Sequence, residues 1–436
     1  MHVNSYGIYV PVIDAETCTE CGICVRSCPG HEFNYTYYHK KVHHRLPEHA
    51  GLGPYFDCYV AYTNDNEILE KSQSGGLVTT VLVYCLEKGL VDGAVVSKWS
   101  DDNPLVPETY IARTREEILR AVGSIYNSVP AAQSAAEILN TEGRFAFVGT
   151  SCQIQGMRKA EELYPKLSDK IALYLGLHCL GVFTYHFHDQ IFHKIGLERD
   201  KVKRFRHRDK AWRGWPCDMR ITDIEGNTYD IAAWNSRLKP RPFFTNWRCQ
   251  LCFDKANEFS DISFGDCRIP AMHKVIQQDG YTLERGLSEF VVRTARGERV
   301  VNSLIKDGNI TFYAADADSL TKSIGAEKKI GIKTFFVLAR LFNVGVPKYG
   351  VLFSPVQRSN AVTGFLIDKW TKISSSRYWF FYYGAHYNLF RKIMMHIPHR
   401  LFGLANLLLD RNVEWRTHRS DANVVLHEQE ASAEKE

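Results

Sequence analysis

Cys18, Cys21, Cys24 and Cys28 are separated by two, two and three residues in CTECGICVRSCPG, and Pro29 follows the last of them. Three thiolates at this spacing can wrap one cubane while the intervening backbone N–H groups turn toward its sulfurs. A structural zinc site asks instead for two well-separated Cys pairs. The run therefore predicts a [4Fe–4S] cluster and electron transfer. In two-cluster ferredoxins the cysteine before proline ligates the other cluster. No second copy of the run follows here, so Cys28 closes the same cluster, serves another, or yields its place to Cys58; Cys28 is the preferred ligand.

A second group of cysteines is scattered. Cys249 and Cys252 form a lone Cys-x-x-Cys pair, which by itself fits a metal, a redox dithiol or a core. Cys152 follows an expected strand in GTSCQIQG, and Cys179 ends another in LGLHCLG. In α/β sheets ligands collect outside the carboxyl ends of strands, so two such ends and a loop pair can supply four thiolates to one cubane. Spacing alone leaves a second cluster and unconnected core cysteines evenly matched. Cys85, in VLVYC, reads as packing. His178 reads as a satisfied rim residue, and His186 and His188, two apart, do not share a helix face on which to hold a metal.

The elements that must position these residues belong to an ordinary globular composition. The chain has 436 residues, 45% hydrophobic and 24% charged, with a net charge of +5. That length suggests two or three domains. The basic residues are scattered, so nucleic-acid binding is not expected. Twelve cysteines are too sparse for a disulfide scaffold. The N-terminus carries no signal-like apolar core, and no uninterrupted apolar run is long enough for a transmembrane helix. A reducing, cytoplasmic setting follows, in which thiolates stay available for iron.

Four regions are expected: an iron–sulfur segment over 1–70, a core over 71–330, an amphipathic helical extension over 331–411 and a polar, disordered tail over 412–436. In the core, strand and helix patterns alternate from Ser72, with VDGAVVSKW, RFAFVGT and IALYLGLHC as strands and the segments between them as helices. That alternation argues for an α/β layer structure. From Lys201 charged, Trp-rich chain leads into two short strands around Gly226, and FVVRTARGERV reads as strand and turn. The extension pairs basic with aromatic and apolar residues, which suits packing on the core, a partner, or the cytoplasmic side of a membrane surface.

From Ser72 to Arg293 the chain resembles the beta subunit family of coenzyme F420 hydrogenases and dehydrogenases. The matching stretches are SQSGGLVTTVLVYCLEKGLVDGAVV, AVGSIYNSVP, GTSCQIQGMRK, GLHCLGVF, CQLCFDKANEFSDISFGD and SEFVVRTARG, in the family's order. Ser151 stands where the family often has proline, and the extension after 330 lies outside the match. The resemblance implies FAD, one or two [4Fe–4S] clusters and exchange of electrons with the deazaflavin F420. In some branches ferredoxin is the donor and an organic molecule such as a chlorophyll-type pigment is reduced. It assigns the core cluster to Cys152, Cys179, Cys249 and Cys252, making two clusters in all.

No G-x-G-x-x-G follows a strand, and GLGPYF at 51–56 continues wrongly, so a Rossmann-type FAD site is not expected. The expected fold is an α/β (α+β) flavoprotein core with a non-Rossmann FAD site, an N-terminal ferredoxin-like segment and a helical C-terminal extension. Ser74, Gly75 and Gly76 open the first matched helix, where glycines and free N–H groups suit a phosphate, with Thr79 one turn inward. Gly123, Ser124 and Tyr126 form a second candidate wall. Gln153 and Arg158 follow Cys152, and Arg158 could fork onto a phosphate or carboxylate. Lys203, Arg204, Arg206 and Arg208 face a polyanionic tail in one reading and solvent in the other.

The expected activity is an FAD-dependent oxidoreductase working as an oligomer. It links F420 to ferredoxin or a partner redox subunit. Its first rival is a ferredoxin-fed reductase with Trp212, Trp215 and Tyr378–Tyr383 around an organic substrate. The second is a non-catalytic electron-transfer subunit docked through the extension.

Overall fold

The computed structural model describes residues 1–326 apart from 6, 50 and 239, together with 347–349 and 415–418. A short hairpin, β1 (His2–Val3) and β2 (Tyr9–Val10), precedes the cysteine run. The core sheet contains β3 (Asp57–Thr63), β4 (Gly93–Trp99), β5 (Pro107–Ala112), β6 (Phe145–Thr150) and β7 (Ile171–Leu177). A second sheet follows in sequence, with β8 (Val202–Asp209), β9 (Asp218–Asp223) and β10 (Thr228–Ile231). The chain then returns to the core sheet through β11 (Ile262–Asp266), β12 (Ser288–Val292) and β13 (Ile310–Ala314). A last strand, β14 (Trp415–His418), pairs antiparallel with β10.

The core sheet runs β13-β3-β12-β11-β7-β6-β4-β5. Its centre, β4-β6-β7-β11, is parallel, while β5, β12 and β13 run the other way. Parallel strands are covered on both faces and so carry apolar residues on both, which the register shows. Ala94, Val96, Ala146, Leu173 and Leu175 pack on one side with the helices Leu77–Glu87 and Ala295–Lys306. Val95, Phe145, Phe147 and Tyr174 face the other side and meet the helices Ser151–Leu163 and Tyr35–His43. The result is a three-layer α/β arrangement with a mixed sheet.

Four expectations change. The core starts at β3 and not at residue 71, because Asp57–Thr63 sits between β12 and β13 with Val60 and Ala61 fully buried. The charged run after Lys201 is strand β8, since Val202, Phe205 and His207 point inward between outward-facing basic residues. FVVRTARGERV is a strand followed by the helix Ala295–Lys306, which Thr294 caps by accepting from the Gly297 N–H. The tail is not wholly unstructured, because Trp415–His418 completes the second sheet.

The helical reading of 331–411 lies outside the described residues except at 347–349. There the backbone pairs with the cysteine segment, Phe33 and Tyr35 donating N–H groups to the carbonyls of Lys348 and Tyr349. Tyr378–Tyr383 are also outside the described residues. No described helix is long and apolar enough to cross a membrane.

Candidate functional site

The cysteine run is a loop with one short helix, Ile23–Ser27, and all four of its cysteines are exposed. Glu20 and Gly22 on either side of Cys21 adopt φ of 54° and 68°. Left-handed backbone at both positions tightens the loop around the thiol, and Gly22 adopts it without strain. The Ile23 N–H and then the Thr19 hydroxyl hold the Cys21 thiol below its ordinary value. A thiol already met by N–H donors and eased toward thiolate suits an iron–sulfur cluster. Cys58 does not compete as a ligand in this structure. It lies buried in β3 within the apolar cluster of Leu52 and Val60, and burial pushes its thiol up to about 12.

The scattered cysteines meet at the carboxyl edge of the parallel strands. Thr150 ends β6 and caps the helix that carries Cys152 in its first turn; Cys179 lies two residues beyond β7. Cys249 arrives on the short helix Trp247–Gln250 with Cys252 just beyond it, and Gly181 brings the two segments together. A Cβ on Gly181 would lie 3.1 Å from the Cys249 Cβ. The Gly181 N–H donates to Cys179 Sγ at 3.4 Å, and Val182 N–H to Cys249 Sγ at 3.5 Å. Burial, then Cys179, and Cys152 more weakly, push the Cys249 thiol up to about 12. Cys252 is raised too, by burial and by Asp254 ahead of Cys152 and Cys179, against Lys255.

The raised Cys152, Cys249 and Cys252 thiols ionise together only around a cation, and this all-sulfur donor set with N–H groups on its sulfurs suits iron–sulfur chemistry. Among the described residues no three Cys, His, Asp or Glu side chains are gathered closely enough for a single metal ion. A cubane presents four separate irons, so its thiolates stand wider apart than those around one ion.

The two cysteine sets share a boundary. Arg248, one residue before Cys249, donates to the Gly30 carbonyl at 2.9 Å. Lys159 reaches the Cys28 carbonyl at 3.3 Å from the helix that Cys152 opens. Pro29 Cδ lies 3.6 Å from where a Cβ on Gly156 would stand, one turn along that helix. The cysteine run therefore sits on the same helix that carries Cys152.

The expected flavin-binding residues divide. Gly75 and Gly76 have local structural reasons to be glycine. A Cβ on Gly75 would approach the Ala61 carbonyl to 2.7 Å, and Gly76 caps its helix at φ 77°. Ser74 donates to the Leu287 carbonyl at 2.7 Å, and the Gly75 N–H to Ser288 Oγ at 3.0 Å. Thr79 lies half-buried in the same helix. Gln73 joins this loop to the second wall, its amide reaching the Arg208 carbonyl and its carbonyl accepting from the Ser124 N–H beside Gly123. Tyr126 stands at the same edge, near Arg208, Arg237, Arg241 and Asp266.

Gln153 is used as a helix cap. Its Oε1 accepts from the Thr150 N–H at 2.8 Å and its Nε2 donates to the Val129 carbonyl. Arg158 faces another part of the molecule. Its guanidinium lies 4.0 Å over the Tyr174 ring, bonds the Phe259 carbonyl and pairs with Glu161 at 3.4 Å. With Lys41, Arg293 and Arg296 it lines a cleft of about 390 Å³ beside the amino ends of β7 and β11. Within the basic run only Arg208 reaches the carboxyl edge. It pairs with Asp266 at 2.8 Å and donates to the Gln73 carbonyl at 2.7 Å. Arg206 turns to Asp209, and Lys203 and Arg204 are exposed.

Sequence reading missed Arg237, Arg241 and Glu289. The first two lie in WNSRLKPRP, which carries no motif; Glu289 lies within a matched stretch but reads as a strand residue. Glu289 is 1% exposed and faces His178, Oε1 to Nδ1 3.5 Å. Burial raises the Glu289 carboxyl to about 8 and lowers the His178 imidazole to about 3.

Residues 58–135 match the coenzyme F420 hydrogenase/dehydrogenase beta subunit N-terminal model, and 142–318 match its C-terminal model. Residues 9–30 match a 4Fe–4S binding domain. The coenzyme F420 hydrogenase subunit beta of Methanosarcina barkeri is 30% identical over 265 residues, covering 59% of this chain and 81% of that one. The coenzyme F420-dependent sulfite reductase of Methanocaldococcus jannaschii is 25% identical, covering 68% and 47%. The chloroplastic 7-hydroxymethyl chlorophyll a reductase of Oryza sativa is 23% identical, covering 65% and 60%. In the F420-reducing [NiFe] hydrogenase complex from Methanosarcina barkeri, one chain superposes with a TM-score of 0.53 at 27% identity, covering 69% of this chain and 98% of that one. The sheet that gathers the cysteines is therefore a shared scaffold, and the chain belongs to the coenzyme F420 hydrogenase/dehydrogenase beta subunit family, extended at its N-terminus by a 4Fe–4S binding domain.

Proposed function

We propose that the chain is an FAD-dependent iron–sulfur oxidoreductase that exchanges electrons with coenzyme F420. Two [4Fe–4S] clusters would connect it to ferredoxin or a partner redox subunit. One observation carries the reading. Cys179 and Cys152, each from a separate segment, lie close enough to Cys249 to raise its thiol at the sheet edge, and the cysteine run packs on the helix that carries Cys152. The relatives' names add the two-electron partner, since several are F420 hydrogenase subunits or an F420-dependent reductase.

In this reading Cys152, Cys179, Cys249 and Cys252 hold the inner cluster and Cys18, Cys21, Cys24 and Cys28 the outer one. When bound, the flavin would convert one hydride into two single electrons. The protein's part is position. The loop Ser72–Gly76, the Gly123–Tyr126 wall and Arg208 frame a ligand at the carboxyl edge, beside Cys179. Arg248 and Lys159 hold the outer loop against the inner one, which shortens the path between the clusters.

The test is an anaerobic preparation with iron, sulfide and flavin counts, followed by addition of reduced F420. The reading expects FAD, about eight irons per chain and flavin bleaching by the deazaflavin. About four irons would remove one of the two cysteine sets from the proposal. Rapid bleaching by reduced ferredoxin with none by reduced F420 would replace F420 by an organic substrate near Trp212 and Trp215.

A further inference from the structure

The lobe over the carboxyl edge buries more positive charge than it balances. Arg208 and Arg237 are 4% and 8% exposed, and Arg241 is partly buried. They come from three places: the end of β8, the π-helical turn Trp234–Leu238 and the short helix Arg241–Phe244. Asp266 is the carboxylate among them, and Arg208 takes it at 2.8 Å. Among the described residues no carboxylate pairs with Arg237 or Arg241. Arg237 spends its Nη2 on the backbone carbonyls of Pro216 and Cys217.

Unused donors remain. Among the described residues Arg208 Nε, Arg237 Nε and Arg241 Nη1 are buried without a hydrogen-bond partner, as are Trp215 Nε1 and Ser236 Oγ nearby in sequence. Burial alone would raise the Tyr126 phenol, yet Arg208, Arg237 and Arg241 together hold it below its ordinary value. A buried guanidinium left unpaired is costly, so a lobe that gathers three guanidiniums around one carboxylate, which Arg208 already takes, is built for an anion. Every unused arginine atom is an N–H donor, and planar guanidinium forks match the oxygens of a phosphate.

We propose that Arg208, Arg237 and Arg241, with Tyr126, form the subsite for a phosphate-ester anion: the diphosphate of the flavin dinucleotide or the phosphodiester tail of the deazaflavin. The anion's place follows from the charge count alone; only its carrier rests on the function proposed above. Arg237 is the discriminating position, because its charge is buried and pairs with no carboxylate among the described residues.

The experiment compares wild type with Arg237→Gln, Arg241→Gln and Arg237→Lys as full-length, anaerobically purified chains. Arg199→Gln, at an exposed Asp189 pair, is the control. If the flavin supplies the phosphate, Arg237→Gln and Arg241→Gln lose flavin about ten-fold at unchanged iron content. If the deazaflavin supplies it, both keep flavin and raise KM for reduced F420 about ten-fold at unchanged kcat. In either case Arg237→Lys restores part of the loss and Arg199→Gln matches wild type. Flavin content and KM within about two-fold of wild type in both Gln variants would overturn the subsite. If wild type holds no flavin and does not react with F420, the function proposed above fails. The subsite is then decided by inorganic pyrophosphate. A rise in thermal midpoint that Arg237→Gln abolishes supports it, and an equal rise or none in both proteins overturns it.

Discussion

The two cysteine sets are built in opposite ways. The N-terminal set lies within eleven residues of chain, its thiols are exposed, and its loop is held from outside by Arg248, Lys159 and the surface of one helix. The other set is spread over a hundred residues and depends on β6, β7 and the short helix Trp247–Gln250 arriving at one edge. A local loop needs little from the fold beyond a place to rest. A set assembled from strand ends exists only while the sheet register holds. The inner set should therefore be inseparable from folding, and the outer set removable.

The largest expected difference is between Cys249→Ser and Cys21→Ser. Metal binding to an assembled site is folding free energy. Cys249→Ser should lose about four irons and unfold at a clearly lower temperature, whereas Cys21→Ser should lose about four irons with little change in midpoint. Equal midpoints in calorimetry would erase the distinction.

Arg293→Met attacks the inner set without touching a cysteine. Arg293 is fully buried and donates to the carbonyls of Leu52, Pro54 and Ala256 and to Ser263 Oγ. It thus pins the loop after Cys252 to the sheet. Orphaning three buried carbonyls should cost about 3 kcal/mol or more in denaturant unfolding. Iron at the exposed run should survive in conditions where the variant is still folded.

Glu289 tests the same edge through pH. Its folded value of about 8 lies above that of an unfolded glutamate, so the folded state holds the extra proton between those values. Stability from this group is fully present below about pH 4.3 and is lost as pH rises through its folded value. Subtracting a Glu289→Gln melting series from wild type should leave a difference that falls toward pH 8. A flat difference would mean the carboxyl is not held protonated.

Smaller effects belong to the boundary between the sets. Arg248→Ala removes an exposed charged bond to Gly30 and should cost about 1 kcal/mol or less, with both clusters retained. Loss of the N-terminal iron would show that the tie holds the outer loop. Gly156→Ala places its methyl at ordinary contact with Pro29 and removes a mid-helix glycine, so the chain should gain about 0.5–1 kcal/mol. A loss would indicate that the outer loop packs closer than 3.6 Å.

Much of the scaffold is legible in the sequence. RFAFVGT, IALYLGLHC and VDGAVVSKW are strands because continuous apolar runs mark strands covered on both faces. The misreadings have specific causes. β8 hid behind Lys203, Arg204 and Arg206, since strong outward charge masks a period of two. Arg158 looked like a ligand because it follows Cys152 in sequence. Six residues of helix, about one and two-thirds turns, carry its side chain to another face, against Glu161 and Tyr174. Gln153 looked the same but completes a capping box.

The sequence by itself determined the N-terminal run and the family, because adjacent cysteines and matched stretches keep their meaning without a fold. The resemblance named Cys152, Cys179, Cys249 and Cys252 as one set, and the tertiary structure makes Cys152, Cys179 and Cys249 neighbours. Only the tertiary structure decided that Arg208, Arg237 and Arg241 share one lobe. Proximity across a hundred residues is set by strand order and register, which no spacing along the chain encodes.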